Sequence, residues 1–122
     1  MKEQYLYYGL LFHFVGDYIL QNDWMAQNKT KSNLPAIIHA LIYTTPFLLL
    51  TTNPFSIAII FVTHFFIDRF RLAVYWIKLM NWNWSSTNFG YTEDKPLWMS
   101  IWLMIIIDNV WHVLFNTLAL GF

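Results

Sequence analysis

Four histidines, His13, His39, His64 and His112, are spread so that each of four apolar stretches of the chain receives one. Three have an aspartate four residues away: His13 with Asp17, His64 with Asp68, and Asp108 with His112. The chain holds five aspartates. Three such pairings would then arise by chance in roughly 0.2% of arrangements, counted as template matches. A spacing of i,i+4 puts both side chains on one helical face, close enough to chelate an ion jointly. Imidazole mixed with carboxylate suits zinc, manganese or iron rather than calcium or magnesium, which prefer all-oxygen shells. The candidate ligands are His13, Asp17, His39, His64, Asp68, Asp108 and His112. They outnumber the three or four protein ligands of a mononuclear catalytic zinc site. Two divalent cations about 3.5–4 Å apart, bridged by an aspartate, would use them all.

Such a site needs elements that bring four distant residues to one depth. The apolar stretches cover about 4–21, 34–52, 55–80 and 97–120. Each approaches the roughly 20 residues that cross a 30 Å hydrocarbon core as a helix. Lipid cannot satisfy open backbone groups, so helix is the expected form. Pro35, Pro54 and Pro96 stand where helices should start, with Asn33, Asn53 and Asp94 as caps. Asn53-Pro54 predicts a tight turn between antiparallel helices two and three. Pro46 predicts a kink near Ile42. The third stretch changes character at Asp68-Arg69-Phe70-Arg71, so its second half should leave the core and ride the interface, followed by an aromatic loop. The expected fold is an all-α integral membrane four-helix bundle, residues 1–122 forming one domain. A soluble helical bundle is the alternative.

Within that bundle His13, His64 and His112 fall about 12–15 Å from one end of their helices, at 1.5 Å per residue. The aspartates fall deeper, at about 19–21 Å. Helix four runs opposite to helix one, so its reversed order, Asp before His, is what a common depth requires. His39, lacking an aspartate partner, should lie near the aspartate layer. Ionisable groups at such depth cost about 2.5 kcal/mol or more each unless paired or coordinated.

Composition narrows the classes. Charged residues are only 11% of the chain and apolar ones 57%, against roughly 25% charged in an ordinary soluble domain. The formal net charge of zero argues against nucleic acid as a partner. There is no cysteine, which excludes disulfides, thiolate zinc sites and cysteine nucleophiles. Lys29, Lys31, Arg69, Arg71, Lys78 and Lys95 share one side and Lys2 the other. The positive-inside rule then puts loops 22–33 and 81–96 in the cytoplasm and both termini outside an inner membrane.

The run Leu11-Phe12-His13-Phe14-Val15-Gly16-Asp17-Tyr18-Ile19-Leu20-Gln21, with Asp23-Trp24-Met25-Ala26 and Lys29 beyond it, resembles a family of small multi-pass bacterial and phage membrane proteins catalogued as a domain of unknown function. His39 and the pair His64 and Asp68 also match its pattern. More distantly the layout is similar to inner-membrane proteins described, by inference, as metal-dependent hydrolases. That resemblance implies a metal site at the seven His and Asp positions.

The functional expectation is a membrane-embedded metal-binding protein that hydrolyses a phosphoester, lipid-linked or nucleotide, from the cytoplasmic side. A divalent cation lowers the pKa of water towards neutrality. Asp17, Asp68 and Asp108 are the candidate catalytic carboxylates, while Arg69, Arg71, Gln21 and Lys29 are candidates for holding the phosphate. Three alternatives remain: a metal or proton conductor, a bis-histidine haem protein, and a phage–host interaction protein whose site is only structural. A homodimer would complete a cavity in so small a bundle, although no Gly-x-x-x-Gly seam argues for one.

Overall fold

A computed structural model describes residues 2–122, and every regular element among them is helical. Helix α1 (Lys2–Phe14) runs directly into a π-helical turn, Val15–Ile19. A short α2 (Asp23–Asn28) follows, capped by the Asn22 side chain, which accepts from the Met25 N–H at 2.9 Å. Helix α3 (Asn33–Thr44) tightens into a 3-10 turn over Thr45–Leu49. Then come α4 (Pro54–Arg69), α5 (Leu72–Asn81) and α6 (Leu97–Leu120). Helix α6 packs against α4, α1 and α5, and α3 packs against α4.

Local chemistry explains these boundaries and corrects several expectations. Pro46 has no N–H and would press on the Ile42 carbonyl in a regular helix. The chain answers by tightening: the Thr45 N–H and hydroxyl both bond to Ile42 O, the hydroxyl at 2.7 Å. Asn53 caps α4 as expected, accepting from the Phe55 N–H at 3.0 Å. Asn33 does not cap α3. Ser32 holds that position, and Asn33 accepts from Arg69 instead. Asp94 does not cap α6 either; Pro96 is the capping residue, outside the helix. The third stretch is two helices, because Arg71 adopts a left-handed conformation (φ 47°) that ends one and begins the next.

Among the described residues one helix, α6, is long and apolar enough to cross a membrane, with 24 residues and a mean hydropathy of 1.6. Four were expected. The π turn, the Pro46 turn and the break at Arg71 leave α1, α3 and α4 at 13, 12 and 16 residues. The orientation argument also used Lys2, whose side chain lies outside the described ones.

The interior mixes apolar residues with an unusual number of buried polar ones. An apolar cluster of Tyr43, Phe47, Ile60, Ala119 and Leu120 fills one end. Beside and beyond it the bundle buries all four histidines, Asn116, Ser56 and Ser100, each no more than 1% exposed. Large apolar side chains such as Ile19, Leu41, Leu49, Trp102, Val110 and Leu118 face outward, more than half exposed.

Candidate metal centre

Three elements build the site. The π turn presents Asp17, α4 presents His64 and Asp68 one turn apart, and α6 presents His112. One ligand atom from each of these four residues lies within 4.8 Å of the other three, and all four residues are buried. Asp68 is central. Its Oδ1 accepts from His112 Nε2 at 2.8 Å, and its Oδ2 lies 3.1 Å from His64 Nε2. Asp17 Oδ1 stands 3.4 Å from the same His64 nitrogen. Those separations bracket the edge of about 3.3 Å of a tetrahedron with metal–ligand bonds of 2.0–2.1 Å.

The wide turn also explains Gly16. A Cβ there would come within 2.5 Å of the Tyr43 ring and 3.2 Å of the Tyr43 Cα. Only glycine lets Asp17 approach α3 so closely.

Does a cation fit these residues? His64 is 1% exposed, and neither of its ring nitrogens makes a hydrogen bond. Yet its Nε2 faces two carboxylate oxygens. A buried, unbonded polar atom is costly, and coordination would satisfy it. Charge agrees. Asp17, Asp68 and Asp108 oppose one ammonium, Lys29, whose Nζ sits 2.8 Å from Asp68 Oδ2 and 4.0 Å from Asp17 Oδ1. With neutral histidines, and with Arg71 also in the cavity wall, a net negative charge remains that a divalent cation would answer. Burial works against the Lys29 charge, but Asp68 and Asp17 outweigh it and hold its pKa above the ordinary lysine value.

The other expected ligands stand differently. His39 Nε2 donates to Asp17 Oδ1 at 2.9 Å and lies 3.2 Å from Asp68 Oδ2, so it steadies the carboxylates from the side. Asp108 Oδ2 is 3.3 Å from His112 Nε2, but its side chain is 23% exposed and faces a cavity. His13 is turned away. Its Nδ1 is 2.8 Å from the Tyr43 hydroxyl and its Nε2 2.8 Å from Asn109 Oδ1, leaving 3.8 Å to Asp17. Donor accounting fixes its tautomer. The Asn109 oxygen can only accept, so Nε2 carries the hydrogen. Nδ1 then accepts from Tyr43, whose oxygen accepts from Asn116 Nδ2 at 2.6 Å. Both nitrogens are used, and neither remains for a metal. Among the described residues the geometry gathers one four-residue set, Asp17, His64, Asp68 and His112, that could hold a metal ion.

A cavity of about 230 Å³ opens beside the cluster, lined by Asp17, Gln21, Lys29, Asp68, Arg71 and Asp108 among others. Three of the four expected phosphate-holding residues therefore border it. Arg69 does not. Its Nε donates to Asn33 Oδ1 at 2.9 Å and its Nη1 to the Thr30 carbonyl at 3.0 Å. Lys29, expected at headgroup level, reaches instead into the cluster, because its flexible stem can carry a charge to buried carboxylates. Tyr43 was not among the expected residues. Its place four residues after His39, on the same face of α3, was the available signal.

Fold and site together define an all-α helical protein with a buried His–Asp cluster that could hold a metal ion. The family model described as "Protein of unknown function (DUF3307)" matches residues 5–120, and the chain belongs to that family. No curated protein and no solved structure matches it.

Proposed function

We propose that this is a membrane-embedded metal-binding protein that hydrolyses a phosphoester, lipid-linked or nucleotide. The carrying observation is that Asp17 and Asp68, two of the four clustered ligands, also line a polar cavity bordered by Lys29 and Arg71. Asp17, His64, Asp68 and His112 would hold the cation, with zinc, manganese or iron suiting two imidazoles and two carboxylates. The bound cation would polarise the phosphoryl group and activate water. Asp108, in the cavity wall and partly open to solvent, would take a proton. Arg71 and the Gln21 amide, whose buried Oε1 makes no hydrogen bond, would hold phosphate oxygens and their bridging water.

The membrane part of this reading rests on the apolar outside of the helices. Buried histidines and aspartates sit among apolar side chains such as Ile60 and Ile67, while large leucine, valine and tryptophan side chains face outward, as expected where lipid is the solvent. With the connections bearing Lys29, Arg69 and Lys78 in the cytoplasm, the cavity would open to the inner leaflet. A proton conductor is less well supported. The hydrogen-bonded chain of Asn116, Tyr43, His13 and Asn109 ends at both sides on amides, which do not titrate.

Metal content by mass spectrometry tests the reading, on detergent-purified wild type beside His64→Ala and Asp68→Ala. About one divalent ion per chain, lost in both variants, is the expected result. Hydrolysis of lipid and nucleotide phosphoesters by wild type, abolished in Asp108→Asn with its metal retained, would then follow. A metal-free wild type that folds as well as its variants would overturn it.

A further inference from the structure

A second cavity, of about 420 Å³, lies at the same end of the bundle and is lined by Arg69, Arg71, Tyr75, Lys78, Thr87 and Phe89 among others. Its charged lining residues are all cationic. Among the described residues none of the three has a carboxylate within 4.0 Å, since every lysine or arginine ion pair belongs to Lys29. The nearby Glu93 is taken up by Thr87, whose N–H and hydroxyl donate to it at 2.8 and 2.6 Å. Gathering three cations around one concavity is unfavourable unless something anionic answers them.

The cations are also held in place. Two hydrogen bonds fix Arg69 to Asn33 and the Thr30 carbonyl. The Arg71 guanidinium lies 5.8 Å over the Phe89 ring and the Lys78 ammonium 5.9 Å over Tyr75. Arg71 and Phe89 both adopt left-handed backbone conformations, with φ of 47° and 58°. Glycine would take that conformation without steric cost. Non-glycine residues kept there, both lining one cavity, mark a place where the side chain outweighs backbone comfort.

We propose that Arg69, Arg71 and Lys78 form a second binding site, for a phosphate-class anion, which shares Arg71 and Thr30 with the cavity beside the metal cluster. Planar guanidinium forks suit phosphate oxygens, and an ammonium adds a point charge. The ligand's phosphate belongs either to a lipid headgroup or to a soluble molecule. This site shares Arg71 with the hydrolase reading but needs no metal and no turnover, and Lys78, which lines this cavity and not the first, tells the two apart.

The test titrates the full chain, in uncharged detergent at fixed ionic strength, with inorganic phosphate, followed by calorimetry. A parallel series follows flotation with phosphatidylcholine vesicles that contain or lack phosphatidic acid. Arg71→Gly and Lys78→Gln should each weaken anion binding by about tenfold or more, the scale of a charge-assisted contact. Wild type stripped of metal by a chelator should still bind. Arg71→Gly should unfold no earlier than wild type, so its loss cannot be laid to misfolding. Phosphate binding that phosphatidic acid leaves unchanged supports the proposal with a soluble ligand. Binding to phosphatidic acid vesicles alone supports it with a lipid headgroup. The proposal is overturned if neither probe binds. It is equally overturned if Lys78→Gln binds like wild type, or if stripping the metal abolishes the binding.

Discussion

The two halves of the buried polar column differ in how completely they are bonded. Around His13 every hydrogen has a place: Asn116 donates to Tyr43, Tyr43 to His13, and His13 to Asn109, which also accepts from Tyr18 at 3.0 Å. Around His64 the accounting does not close. Both of its nitrogens lack hydrogen bonds, and its carboxylate neighbours share one lysine. Two histidines of the same type, each followed four residues later by an aspartate, thus do different work. One completes a network that fixes helix packing; the other belongs to a buried cluster that could hold a metal ion.

The largest expected effect separates the halves by charge. Lys29→Met leaves Asp17 and Asp68 without their ammonium, and should lower metal-free stability by about 3–5 kcal/mol, the range for breaking a buried pair. Added zinc should restore more stability to this variant than to wild type, read by denaturant unfolding in detergent. An equal response in both proteins would mean that Lys29 and the cation do not answer the same charge. Next, His64→Ala should weaken metal binding by more than about 100-fold, beyond the cost of losing an outer partner. His13→Gln should change it little. Competition with a chromophoric chelator reads both, and equal losses would erase the distinction between the halves.

Tyr43→Phe acts on the completed half alone. It strands Asn116 Nδ2 and His13 Nδ1, and should cost about 1–3 kcal/mol, as for buried groups left unpaired, with metal content unchanged. The smallest effect lies outside the column, in the loop beside the cationic cavity. Hydrogen bonds from the Thr87 side chain and N–H hold the Glu93 carboxyl below its ordinary pKa. A depressed folded pKa means that this contribution is present above the unfolded value and lost as pH falls through the folded one. The fluorescence of Trp82 and Trp84 should therefore report slight loosening in acid, and Glu93→Gln should show none of that pH dependence.

The contrast between the halves was only half legible in the sequence. The i,i+4 pairs are present: His64 and Asp68 at 3.1 Å, Asp108 and His112 at 3.3 Å. The common depth of His39 and the aspartates also emerges from helix geometry alone. What could not be read was which histidine would be satisfied elsewhere. That depends on Tyr43 and Asn109 arriving from two other helices, and spacing along one helix carries no information about them. The π turn was equally hidden. It widens a helix by a fraction of a turn, and nothing in Val15-Gly16-Asp17 announces it except a glycine whose tight packing appears only when α3 is in place. In the third stretch the change of character at Asp68-Arg69-Phe70-Arg71 was legible, but the left-handed backbone of Arg71 that splits it into α4 and α5 was not.

Lys29 carries one further consequence. The chain has five lysines, and among the described residues this is the one whose amine lies beside two buried carboxylates. Amine-directed acylating reagents should therefore mark it last. A cation arriving at Asp17 and Asp68 would displace its ammonium towards the cavity mouth and expose it to the reagent. The labelling rate of Lys29, followed peptide by peptide, then becomes an internal gauge of site occupancy, readable before any substrate is known.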